Sequence, residues 1–224
     1  MKRILCIGDS HTAGHNRRTN VSGPDDIVTP KNWSAYLQKT FRNSEVWNLS
    51  LSGSNNFFSG IILDSFLETY TPDVVIYQIS DHRRFIKIKR TTKLNLLEST
   101  NCVAPNYYAL QRRPFPFGMM VSPQSFSSAS RKEIIRLYTA LSDDDIVYLN
   151  SIAVERNLLK LQNIPHYAFY WRKEDAVITG YDSVDDILGS QFHSFVEDNG
   201  CHLNTTGHGL VYNNIIHTKV VNLL

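Results

Sequence analysis

Ile4-Leu5-Cys6-Ile7-Gly8-Asp9-Ser10-His11-Thr12-Ala13 decides the reading of this chain. A short apolar run that ends in a Gly-Asp-Ser turn reads as a strand buried in a parallel sheet. Ser10 therefore sits where a strand breaks into a turn. In an open α/β sheet that edge is where ligands bind. A serine there is a candidate nucleophile, provided the rest of the chain supplies a base, an orienting group and an oxyanion hole.

Outward from strand Arg3–Ile7 the pattern alternates. A loop rich in Asn, Gly, Pro and Asp spans about Gly14 to Lys31. Asn32 to Phe41 carries Trp33, Tyr36, Leu37 and Phe41 at helical spacing. Glu45 to Leu49 reads as a strand and Asn56 to Tyr70 as a helix, closed by Pro72 and Asp73. Asp73 to Ile79 is almost continuously apolar, as a central parallel strand is. Repeated strand–helix order implies a doubly wound, three-layer α/β/α sandwich of the flavodoxin-like type, with right-handed crossovers.

After Asp81 the alternation stops. About 83–130 is rich in Pro, Ser and aromatic residues and reads as a long insertion, either functional or packed by its own rings. Helical periodicity returns from Arg131 to about Leu161, and Ile164 to Trp171 reads as a further strand. A loop then leads to Asn199-Gly200-Cys201-His202. The last helix is expected from about Thr205 to Val221, with Thr205 or Thr206 as its N-cap.

A length of 224 residues fits one domain, 1–224, with a substantial core. The net charge of +2 argues against nucleic acid as the main partner. The one dense basic run, Arg83 to Arg90, is a solvated strand or loop, or else a patch for an anionic ligand. Cys6, Cys102 and Cys201 are odd in number and widely spaced, so neither a disulfide framework nor a zinc motif is visible. Met1-Lys2-Arg3 runs straight into the first strand without the apolar stretch of a signal peptide. Nothing approaches the roughly 18 apolar residues of a membrane span. The expected location is cytoplasmic by default, with a virus particle or another non-classical export route left open.

Chemistry-bearing residues fall at the ends of the expected elements. Asp9 and Ser10 follow the first strand, Gly53 the second, and Gln78, Ser80 and Asp81 close the third. Asn199 and His202 precede the last helix. This set, in this order, resembles the SGNH (GDSL-type) hydrolase superfamily, as a divergent member. Gly8-Asp9-Ser10 matches the first block, whose serine is the nucleophile. Asn48-Leu49-Ser50-Leu51-Ser52-Gly53 is similar to the second, whose glycine N–H binds the oxyanion. Asn199 to Asn204, followed by Gly207-His208, is similar to the fifth, whose histidine is the base.

The resemblance implies an esterase for a small acyl ester, with an O-acetyl group on a carbohydrate as one candidate. Ser10 would attack, His202 would move the proton, and Ser10, Gly53 and either Ser80 or Gln78 would bind the oxyanion. That chemistry needs no cofactor and no metal. Two blocks depart from the pattern. Ser80 stands where the family has the asparagine of Gly-x-Asn-Asp, and Asn199 stands where it has the aspartate of Asp-x-x-His. Asn199, Asp198 or a backbone carbonyl is left to orient His202. Arg83, Arg84 and His11 are candidate substrate-binding residues. His11 is alternatively a hydrogen-bond partner of the fold, and the two arginines alternatively form salt bridges. His202 and His208 lack a third ligand at metal spacing. The alternative to an enzyme is an SGNH-fold binding or structural protein without efficient chemistry. A phosphate- or nucleotide-binding protein is a weaker reading, because neither Gly-x-Gly-x-x-Gly nor a P-loop is present.

Overall fold

The computed structural model describes residues 1–13, 32–50, 55–81, 85–86, 120–121, 142–196 and 202–224. Strands β1 (Lys2–Ile7), β2 (Ser44–Asn48), β3 (Val74–Ile79), β6 (His166–Tyr170) and β7 (Asp182–Ser183) form one sheet in the order β2-β1-β3-β6-β7. Every pairing in it is parallel. Counting only these strands, the order is that of the flavodoxin-like class, whose topological switch point falls between β1 and β3. Phe85–Ile86 (β4) and Met120–Val121 (β5) make a separate antiparallel pair. The rest of the expected insertion lies outside the described residues.

Side chains that alternate along the strands build two cores. Leu5, Ile7, Val75, Tyr77 and Ile79 face helices α3 (Asn56–Leu67) and α4 (Asp143–Leu161). Ile4, Cys6, Val74, Ile76 and Phe169 face α2 (Trp33–Thr40), α5 (Val184–Leu188) and the last helix. Strands that feed both cores have no solvent-facing side, which is why β1 and β3 read as nearly unbroken apolar runs. The result is a three-layer α/β/α sandwich.

The structure corrects several expected ends. Asn32 is the N-cap of α2 rather than its first residue, and its side chain accepts from Ala35 N at 3.2 Å. The described part of α4 begins at Asp143 behind a Ser142–Asp145 capping box. The expected start from 131 to 141 lies outside the described residues. Asn204, not Thr205 or Thr206, caps α6 (Thr205–Val211), accepting from Gly207 N at 2.9 Å. The last helix passes through a π-helical stretch, Tyr212–His217, and finishes as α7 (Thr218–Leu223). The expected loop after β6 holds β7, α5 and a 3-10 segment, Gly189–Phe195.

Candidate active site

β1 ends at the switch point, and Gly8-Asp9 turns the chain into the single helical turn α1 (Ser10–Ala13). Asp9 Oδ1 accepts from His11 N at 3.0 Å, an Asx-type cap on that turn. Gln78, on β3, reaches across from the neighbouring strand. Its Oε1 accepts from Asp9 N at 3.2 Å and from Thr12 Oγ1 at 2.7 Å. The Thr12 carbonyl collects Asn32 Nδ2 at 2.6 Å, Asn48 Nδ2 at 2.8 Å and Ser34 Oγ at 3.3 Å. The turn that carries Ser10 is thus tied to β3, to the start of α2 and to the end of β2.

Ser10 Oγ lies 2.8 Å from His202 Nε2. The two residues stand 192 positions apart in the chain, and both are buried. His202 is set just before α6. Leu203 bridges antiparallel to Val196, and Asn204 N donates to Phe195 O at 2.8 Å. Gly207 lets this segment pack closely, since a Cβ there would lie 2.8 Å from the Phe195 Cβ.

Ser80 follows β3. Asn56, in the first turn of α3, grips its backbone on both sides, with Ser80 N donating to Asn56 Oδ1 at 2.9 Å and Asn56 Nδ2 donating to Ser80 O at 3.0 Å. Tyr77 OH donates to the same Oδ1 at 3.0 Å, and Asn157 Nδ2 donates to Asn56 O at 2.7 Å. Burial raises the Tyr77 phenol well above its ordinary range, so it stays protonated and donates. Ser80 Oγ and Gln78 Nε2 are both buried and have no hydrogen-bond partner among the described residues. These are the two donor atoms named as candidates for the third oxyanion contact. The other end of the Gln78 amide is committed to the turn that carries Ser10.

Aromatic rings pack beside the pair. The His11 ring stacks on Trp171, centroids 3.9 Å apart and planes at 21°. Its centroid is 4.8 Å from that of His202. His11 is only 5% exposed, which suits a packing partner better than a residue that lines an open pocket. His208 lies behind, its centroid 6.0 Å from that of Trp171. Burial, with a smaller contribution from His202, lowers the His208 pKa to about 3 and keeps its ring neutral.

Gly53, Asp198, Asn199, Arg83 and Arg84 lie outside the described residues. Among the described residues, no group of three or more His, Cys, Asp or Glu is placed to hold a metal ion. No helix among them is long and apolar enough to cross a membrane. Asn56, Thr12 and Trp171 were not singled out from the sequence. Asn56 followed Ser54-Asn55 at a helix start, where asparagine reads as an ordinary cap.

No family model and no curated protein matches the chain. Among solved structures it is similar to TesA, with 15% identity, a TM-score of 0.44 and full coverage of both chains. It is also similar to the psychrotrophic esterase EstA from Pseudoalteromonas sp., with 13% identity and a TM-score of 0.42 over 99% of this chain and 100% of that one. A third similarity is to Axe2, an acetyl xylan esterase from Geobacillus stearothermophilus, with 13% identity and a TM-score of 0.40 over 97% and 94% of the two chains.

Proposed function

We propose that this chain is a divergent SGNH-type serine esterase acting on a small acyl ester. One observation carries the reading: Ser10 Oγ and His202 Nε2 lie 2.8 Å apart at the switch point of a parallel sheet. With its proton on Nδ1, His202 accepts the Ser10 hydroxyl proton at Nε2 as Oγ bonds to the ester carbonyl carbon. The carbonyl π electrons move to oxygen, and the oxyanion is held by the amides of Ser10 and Gly53, with Ser80 Oγ or Gln78 Nε2 as a third donor. His202 then returns the proton to the leaving alkoxide, the C–O bond breaks and an acyl-serine remains. Water, deprotonated by His202, repeats the sequence and frees the carboxylic acid. Asn199 or Asp198 orients the imidazole, and no cofactor takes part. Within this reading the alcohol is a carbohydrate and the acyl group acetyl. The aromatic residues of the insertion suit stacking on sugar rings.

Turnover is expected to be slow. One missing oxyanion donor costs about 10²–10³ in rate, and an asparagine in place of the orienting aspartate costs about 10⁴ in a serine protease. Those same two changes favour the second reading, an SGNH-fold binding protein. Hydrolysis of p-nitrophenyl acetate by wild type and Ser10→Ala separates them. The esterase requires a rate above background that Ser10→Ala abolishes, whereas equal rates leave the binding protein.

A further inference from the structure

We propose that His11 is a positioning residue, whose ring, backed by Trp171, holds the imidazole of His202 at Ser10. This rests on the esterase reading above and adds to it a device that the altered fifth block makes useful. Hydrogen bonds at the nitrogens act in the plane of an imidazole and restrain its swing out of that plane only weakly. A flat neighbour against its face restricts the swing. Rings at 4.5–7 Å between centroids are in the range of favourable aromatic contact. The His11 and His202 centroids are 4.8 Å apart with the planes at 39°, so the contact is tilted rather than stacked.

His11 is itself fixed from two directions. Its backbone N–H is held by Asp9 Oδ1 at 3.0 Å. The adjacent Thr12 is tied through its hydroxyl to Gln78 and through its carbonyl to Asn32 and Asn48. Its ring is stacked at 3.9 Å on Trp171, which is 4% exposed and belongs to the core beneath α2 and the last helix. Trp171, His11 and His202 therefore form a continuous row of rings from the end of β6 to the nucleophile. The residue that follows the nucleophile thus supports the ring of the base from its face, alongside the group that orients it through a hydrogen bond.

The test is the inactivation rate with a small alkyl fluorophosphonate. In that reaction Ser10 Oγ bonds to phosphorus, the P–F bond breaks, fluoride leaves and the serine proton passes to His202. His11→Phe keeps a flat ring and is expected to retain the wild-type inactivation rate constant within about threefold. His11→Leu fills similar space without a flat ring and is expected to lose tenfold or more, with the apparent probe affinity unchanged. His11→Gln replaces His11→Leu if the latter is not folded by circular dichroism, with the same loss expected. Equal rates in wild type and His11→Leu overturn the inference. So does a Phe variant as slow as the Leu variant, which would mean that imidazole chemistry matters and not the flat face. A weakened affinity at an unchanged rate constant would make His11 a substrate contact and also overturn it. Absence of Ser10-dependent labelling in the wild type overturns the esterase reading, and this inference with it.

Discussion

Gln78 approaches Gly8 so closely that a Cβ at position 8 would lie 2.7 Å from Gln78 Oε1 and 2.9 Å from Gln78 Cβ. The same Cβ would lie 2.6 Å from Thr12 Oγ1. The glycine of the Gly-Asp-Ser turn is thus required by the side chain that crosses from β3. Gly8→Ala must push Gln78 off Asp9 and Thr12. Overpacking of this kind costs about 1–3 kcal/mol. A fall of several degrees in the thermal midpoint is expected, with loss of Ser10 labelling in the protein that remains folded. An unchanged midpoint would mean that Gln78 does not hold the turn.

Asn56 joins α3 to the end of β3. Asn56→Ala leaves the buried Ser80 N–H and C=O without their Asn56 partners, and each unsatisfied group costs about 1–3 kcal/mol. A total near 3 kcal/mol is expected, read as a lower urea midpoint at constant slope. Asn56→Asp keeps the acceptor for Ser80 N and Tyr77 OH but sets a carboxylate oxygen against Ser80 O and Asn150 Oδ1 in a fully buried site, so a loss at least as large is expected. Equal stability of Asn56→Ala and wild type would contradict the clamp.

His208 links acid to unfolding. Its pKa is lowered to about 3 in the folded protein against 6.5 for the free side chain. Between those values the unfolded chain binds the extra proton, so stability is full above about pH 6.5 and falls as pH drops toward 3. The slope is about 1.4 kcal/mol per pH unit, or roughly 2 kcal/mol lost by pH 5. His208→Gln cannot take up that proton. Urea titrations at pH 7.5, 6 and 5 are expected to show a flatter acid limb in the variant, and parallel limbs would contradict the assignment.

What was legible in the sequence was what local pattern dictates. Leu5 and Ile7 feed one core while Ile4 and Cys6 feed the other, so β1 shows as an apolar run, and β3 likewise. The Gly8-Asp9-Ser10 turn and His202 were legible as residue types at element ends. Functions that depend on distant partners were not. Asn56 meets Ser80 across 24 positions, and Gln78 meets Thr12 across 66. Gln78 reads as a candidate oxyanion donor through its amide nitrogen, but that its carbonyl oxygen ties down the turn carrying Ser10 depends on partners far away in the chain. The cap of α6 fell on Asn204 rather than a threonine. Asn204 can both accept from Gly207 N through its side chain and donate its own N–H to Phe195 O. β7 escaped notice because a strand of two residues has no periodicity to read.

Asn199 tests the orienting group. In the proposed mechanism, an aspartate there would give the Asp-x-x-His of the pattern the sequence resembles and supply a carboxylate to stabilise the imidazolium. Asn199→Asp is expected to raise p-nitrophenyl acetate turnover by at least about tenfold, a fraction of the roughly 10⁴ that separates the two residues in a serine protease. A lower rate would mean that Asn199 does not orient His202, leaving Asp198 or a backbone carbonyl in that role.

The central claim is that the contact between Ser10 and His202 makes Ser10 a nucleophile. Its most direct test is intact-mass analysis after exposure to an alkyl fluorophosphonate, comparing wild type with Ser10→Ala. One phosphonyl group on the wild type, mapped to the peptide that contains Ser10 and absent from the alanine variant, is the expected result. A folded wild-type protein that gains no mass, or gains it equally in Ser10→Ala, would contradict the claim.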